Sequence, residues 1–223
     1  MKGNLIIISS PSGGGKGTLI QEILRTVVAI NYSISYTTRN AREGEANGED
    51  YYFISREEFL NFVSSGEMLE HAEVHGNYYG TSKSRVQRFL DSGNDVILEI
   101  DVQGAKSVMD RVPDAVSIFV MPPSFEALTY RLTTRATESP EELSLRLKNS
   151  FAEVMRYADF EYVILNDEVT VASRRLSSII LAERQKRVRQ TDAIQDILNS
   201  FDASKHQGVG DLTNYGQQKR RNN

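Results

Sequence analysis

At 223 residues, the chain has room for one large domain or for a core carrying smaller inserted subdomains. Hydrophobic residues make up 39% of it, enough for a sizeable core, and a net charge of −4 argues against a surface that wraps nucleic acid. Cysteine is absent, which excludes disulfides and thiolate metal centres; with no leader-like opening and no run long enough to span a membrane, the expectation is a soluble, cytoplasmic α/β protein.

The first element organises the rest. Leu5-Ile6-Ile7-Ile8 reads as a buried strand, a Ser/Pro/Gly cluster breaks it, and a helical pattern runs from Thr18 to Arg25. Gly13, Gly14 and Gly15 let backbone curl around an anion, and the amides there and at the helix start favour negative charge. Lys16 adds a full positive charge. Pro11, Ser12, Gly13, Gly14, Gly15, Lys16, Gly17 and Thr18 are therefore the candidate triphosphate cradle, and the stretch resembles the P-loop of ATP-using kinases. It departs from that pattern at Ser10, where glycine is usual, and at Gly17, where a hydroxyl would face magnesium. Thr18 is then the candidate metal-facing hydroxyl, with water completing the shell. The plain alternative is a glycine-rich turn that binds nothing.

Further on, Tyr32 to Arg42 alternates as a strand, with Ser33, Ser35 and Thr37 on one face. Arg39 and Arg42 follow three apart and could clamp a second phosphate, or could be an exposed basic loop. Tyr51–Ile54 reads as a short strand, Ser55 as the cap of a helix ending near Ser65-Gly66, and Met68–Val74 as another strand. Gly76–Gly80 reads as a turn into Thr81 or Ser82, which would cap a helix stopped by Gly93. His71 and His75 are four apart, a metal spacing only on a helix, so in a strand they read as ordinary polar residues.

Val96–Val102 is the next predicted strand, with Glu99 and Asp101 on one face at its carboxyl end, where open parallel sheets bind ligands. Ser117–Met121 is a core strand ended by two prolines. Phe125–Phe151 carries two charged helical patterns with Arg131, Arg135 and Arg146, separated near Ala136–Pro140. Such arginines on a flap could close over a triphosphate, although a charged hairpin is more commonly a solvated face. Tyr162–Asp167 reads as the last strand and Val169–Leu198 as one long amphipathic helix. Its Arg184–Arg189 segment reads as solvated surface, and residues from Ser200 onward as a frayed tail.

Taken together, Ser12-Gly13-Gly14-Gly15-Lys16, Ser33–Arg39, Gly76–Thr81, Glu99–Gly104 and Asn166-Asp167 resemble the guanylate kinase family, in its order, over nearly all of Gly3 to Arg189. The resemblance implies an α/β P-loop NTPase fold of three layers with a parallel β-sheet core (3–33, 93–124, 151–189), an inserted α+β GMP-binding subdomain (34–92), a helical lid (125–150) and a flexible tail (200–223). It implies the reaction ATP + GMP → ADP + GDP with Mg²⁺, small-molecule substrates, no nucleic-acid or membrane partner, and room for a homo-oligomer. By position, Arg39, Arg42, Tyr51 and Tyr79 would hold the GMP phosphate, and Ser35, Glu70, Thr81 and Asp101 would face the base. Lys16 would grip ATP, Asn166 would lie on the adenine side, and Lys16, Arg39, Arg131, Arg135 and Arg146 would supply the catalytic cations. The chain departs from the family at Ser10, Gly17, Asn40-Ala41, Glu99 and Ala136. Two rival readings stand beside it: a non-catalytic guanylate-kinase-like binding module, and a phosphotransferase for another acceptor such as a phosphorylated sugar.

Overall fold

The computed structural model describes residues 2–74, 76–134 and 140–201. Lys2–Arg184 form one compact unit, and the residues from Gln185 onward belong to a second.

The first unit runs β1 (Leu5–Ser9), α1 (Lys16–Thr26), β2 (Ile30–Tyr32), β3 (Tyr36–Thr37), β4 (Tyr52–Phe53), α2 (Arg56–Ser64), β5 (Met68–Val74), β6 (Asn77–Ser82), α3 (Lys83–Asp91), β7 (Asp95–Glu99), α4 (Val102–Arg111), β8 (Val116–Met121), α5 (Phe125–Thr133), α6 (Pro140–Val154), β9 (Tyr162–Leu165) and α7 (Val169–Arg184). Strands β2, β7, β1, β8 and β9 lie in that order in a wholly parallel sheet. Parallel neighbours need crossovers, and the crossovers cover both faces with helices. Alternation along β1 divides the core accordingly. Ile6 and Ile8 pack with Leu19, Ile20 and Ile23 of α1 and Leu176 and Ile180 of α7. Leu5 and Ile7 pack on the other face with Val86 and Leu90 of α3 and Ala105 and Val108 of α4. Ile6, Ile7 and Ile8 are fully buried, each contributing about 2 kcal/mol of transfer free energy. The three-layer α/β expectation holds.

A second sheet, β4-β3-β6-β5, is mixed: β3 runs parallel to β4 and antiparallel to β6, which is antiparallel to β5. Helix α2 packs on it through the fully buried Phe59, whose ring stacks on Tyr78 at 5.3 Å. Ser55 caps α2 in a reciprocal capping box with Glu58, as its position before two glutamates suggests.

Five sequence expectations need correction. The run Tyr32–Arg42 is not one strand but a hand-over between sheets. Ser33 N still donates to Ile97 O of the parallel sheet, whereas Ser35 O already accepts from Tyr52 N of the second. Gly76 turns the chain, but Asn77–Ser82 pairs with β5 as a full hairpin strand. The strand at 96–102 stops at Glu99; Asp101 is the N-cap of α4, a helix the sequence reading left out, and its carboxylate accepts from the amides of Gln103 and Gly104. The single helix expected over 169–198 ends at Arg184. The second unit continues with a 3-10 turn, Arg187–Arg189, and α8 (Thr191–Ser200). No glycine or proline marks that break; Arg184, Lys186, Arg187 and Arg189 crowd like charges within two turns, which weakens a helix there. Nor is Arg184 solvated surface. Its Nε donates to Asp95 Oδ2 at 2.7 Å and its Nη2 to the carbonyls of Val28 and Ala29. The predicted tail, His75 and Ala136 lie outside the described residues, apart from the tail's first two positions, where α8 ends at Ser200. No described helix is long and apolar enough to cross a membrane.

Candidate active site

The loop between β1 and α1 folds on itself: Gly14 N donates to Pro11 O at 2.9 Å, and Gly15 stands at φ +87° as the N-cap of α1. That conformation suits glycine, and a Cβ on Gly15 would also stand 2.5 Å from Asn166 Nδ2. The start of α1 has neither a side-chain cap nor an acid in its first turn. Its unpaired amides therefore stay available to an anion, as the sequence suggests. Lys16 Nζ lies 3.9 Å from Glu99 Oε1 at the end of the neighbouring strand. Glu99 Oε2 accepts from the Tyr32 hydroxyl at 3.2 Å; burial, then the Glu99 charge, raises the pKa of that phenol. A Cβ on Gly17 would meet only Glu99, at 3.6 Å, so nothing steric demands glycine there.

Behind the loop, three elements converge. Asn166, just past β9, donates from Nδ2 to Gly14 O at 2.8 Å. Arg131 of α5 donates to Asn166 O at 2.9 Å and reaches Gly14 O at 3.4 Å. From α6, Arg146 donates to Ser12 Oγ at 3.1 and 2.6 Å, Ser150 to Ser12 O at 3.2 Å, and Glu153 accepts from Ser12 N at 3.0 Å. Residues 146, 150 and 153 are one helix face, a spacing that could have revealed Ser150 and Glu153 in the sequence. Gly13, Gly15, Thr18, Tyr130, Arg131, Thr134, Asn166 and Val169 line a cavity of about 340 Å³ on this side. Arg135 lies outside the described residues.

A second hollow opens where the parallel sheet meets the second sheet. Two adjoining cavities, of about 200 and 230 Å³, share Ser35, Tyr51, Glu99, Ile100 and Asp101. Glu70 and Tyr79 wall the first, and Lys16 and Tyr32 the second. Glu70 is 5% exposed, and its Oε1 accepts from Thr81 Oγ1 at 2.7 Å. Burial raises its pKa; the Thr81 bond works against that, and the nearby Asp101 charge adds to it. Expected partners Ser35, Tyr51, Glu70, Tyr79, Thr81 and Asp101 thus do come together. Asp101 reaches the hollow from a helix cap rather than a strand, with Oδ1 committed to α4.

Arg39 is already held. Its guanidinium makes a bidentate pair with Glu45 at 3.0 and 2.8 Å and donates to Asn40 O at 2.7 Å. It also lies 5.5 Å from the Tyr51 ring centroid. Hydrogen bonding to Glu45, with a smaller contribution from Tyr79, raises its pKa. Glu45, in the loop that follows Arg42, also accepts from Arg42 N at 2.7 Å. The Arg42 side chain itself is exposed and lines neither cavity.

A parallel sheet, a glycine-rich anion loop at its carboxyl end and a lysine facing a strand-end carboxylate define a P-loop phosphotransferase. A family model described as guanylate kinase matches residues 2–183, and the chain belongs to the guanylate kinase family. The guanylate kinase of Desulfitobacterium hafniense (strain Y51) is 46% identical over 195 residues, 87% of this chain and 98% of that one. The guanylate kinase of Neisseria meningitidis serogroup A is 46% identical over 199 residues, 89% of this chain and 97% of the relative. The crystal structure of guanylate kinase from Anaplasma phagocytophilum matches with a TM-score of 0.67 at 39% identity, covering 84% of this chain and 89% of that chain.

Proposed function

We propose that this chain transfers the γ-phosphoryl group of ATP to GMP, giving ADP and GDP. The observation that carries the reading is Lys16: it belongs to the anion loop and also walls the cavity that adjoins the Glu70 cavity and shares Ser35, Tyr51, Glu99, Ile100 and Asp101 with it. A triphosphate on the loop and a monophosphate in that hollow would meet at one lysine. A GMP phosphate oxygen bonds to the γ-phosphorus as the bond to ADP breaks, so no side-chain nucleophile is needed. Positioning and charge neutralisation do the work.

In this reading, the loop amides and Lys16 hold the ATP phosphates, and Arg146 and Arg135 add cations from the lid side. Arg39, Tyr51 and Tyr79 take the GMP phosphate, with Arg42 swinging in from solvent. Glu70 reads the base. Guanine offers donors at N1 and N2, and the Glu70 carboxylate keeps acceptor sites beyond the one Thr81 uses. Adenine would set its N1 lone pair against that carboxylate and leave it unpaired, which is worth selectivity factors of about 10⁴. The hydroxyls of Ser35 and Thr81 and the carboxylate of Asp101, an acceptor, complete the pocket. Residues 34–92 then act as the acceptor-binding insertion and 125–150 as the lid.

Magnesium fits as a companion of ATP rather than a caged ion. Among the described residues no cluster of three or more His, Asp or Glu side chains could hold a metal, and Gly17 offers no hydroxyl. Thr18 and Glu99 are the groups near the phosphates, and the ion would neutralise phosphate charge there. The proposal extends to dGMP as a second acceptor, to GMP recycling and to a cytoplasmic setting. An ADP-release assay with ATP, Mg²⁺ and GMP, AMP or dGMP tests it: GMP should exceed AMP by orders of magnitude. Folded protein that forms no ADP with GMP would overturn it in favour of a binding module, and turnover only with another phosphorylated acceptor would overturn the assignment of the base.

A further inference from the structure

The glycine-rich loop poses a conformational problem that the lysine and the helix start do not solve. Glycine visits both halves of backbone space, so the peptides joining Gly13, Gly14 and Gly15 can flip at little cost. A flipped Gly14–Gly15 peptide would turn its carbonyl toward the phosphates and its amide away. Something must hold that carbonyl on the far side.

We propose that Asn166 is the positioning residue that locks the phosphate loop in its anion-binding shape, through the bond from its Nδ2 to Gly14 O. The side chain is 2% exposed, and the bond measures 2.8 Å. A carbonyl accepts only from a donor, so the amide nitrogen has to face the loop. Asn166 is itself fixed twice: its N donates to Met121 O at 2.8 Å, continuing the ladder between β8 and β9, and its O accepts from Arg131 Nη2 at 2.9 Å. The fit is tight on the loop side as well, since a Cβ on Gly15 would stand 2.5 Å from Nδ2. Asn166 thus ties the end of the last core strand to the middle of the loop, 152 residues away. This role differs from reading the adenine base: it acts on the loop's own carbonyl, so it serves any phosphate chain whatever base is attached.

That difference supplies the test. The inference rests on the loop being a triphosphate site, and it does not depend on GMP being the acceptor. Calorimetric titrations of the full chain would compare ATP, inorganic tripolyphosphate and adenosine, each for the wild type and for Asn166→Asp, which keeps the shape but sets an acceptor against Gly14 O. The locking role predicts that ATP and tripolyphosphate weaken together, by about tenfold for a hydrogen bond turned into a repulsion, with adenosine unchanged. If ATP weakens while tripolyphosphate does not, Asn166 contacts the base and the inference fails. It fails equally if neither ligand weakens. A wild type that ignores tripolyphosphate would remove the phosphate-loop reading itself, and the inference with it. Normal tripolyphosphate binding without GMP phosphorylation would count against the proposed reaction alone. Asn166→Ala, checked for folding by its thermal melt, replaces the aspartate variant if that variant does not fold, with the same expected pattern.

Discussion

Single side chains carry the sharpest consequences. Glu70 must be ionised to accept from both guanine donors, yet burial raises its pKa above the ordinary carboxylate value. As pH falls through that raised pKa the acceptor is lost, so kcat/KM for GMP should drop at a higher pH than an ordinary glutamate would give. The unliganded fold responds with the opposite sign: the neutral form is favoured, and stability from this group is lost as pH rises through the same pKa. Glu70→Gln should erase the acid limb and narrow the GMP/AMP ratio; an unchanged profile and ratio would remove Glu70 from the base pocket. Lys16→Ala should cut kcat by about 10³-fold or more with little change in the thermal melt. Near-normal turnover would show that the loop is not the transfer site. Glu45 holds the Arg39 fork, so Glu45→Gln, which leaves one acceptor in place of two, should raise KM for GMP about tenfold while kcat changes less. An unchanged KM would mean that Arg39 orients itself.

At the scale of elements, the links between helices and strands are mostly long in sequence and short in space. Arg184 closes α7 onto β7 through Asp95, whose side chain is 3% exposed, and onto the turn at Ala29, where φ is +56°. Asp95 in turn accepts from Asn4 N at 2.7 Å before β1. Removing one partner of a buried pair strands the other, so Arg184→Ala should cost about 3 kcal/mol of unfolding free energy in a urea titration. Turnover per folded molecule should be preserved, because no cavity of the site includes Arg184; a stability loss below about 1 kcal/mol would show the pair to be surface-like. Caps and punctuation at this scale were legible locally: Ser55 before two glutamates, Ser82 before α3, and Gly93 after it at φ +85°. The break after Arg184 was not, since like-charge crowding is a weak signal beside a strong helical period. Neither was the division of 32–42, because both strands share one alternating pattern while pairing with different sheets.

For the whole molecule, one hollow opens where the parallel sheet's carboxyl edge meets the second sheet, and the glycine-rich loop lies between it and the cavity beside Asn166. The amino-acid sequence by itself determined the glycine-rich loop, the unbroken apolar run that buries β1 on both faces and the segments that resemble the family, because glycine freedom, apolar character and lysine charge are local properties. Only the tertiary structure decided what those groups touch. It gathered Arg146, Ser150 and Glu153 on Ser12, and brought Asn166 to Gly14. The physical reason is that hydrogen bonds and ion pairs reach only about 3 Å, and partners so far apart in the chain meet only once the sheet order has placed their strands side by side.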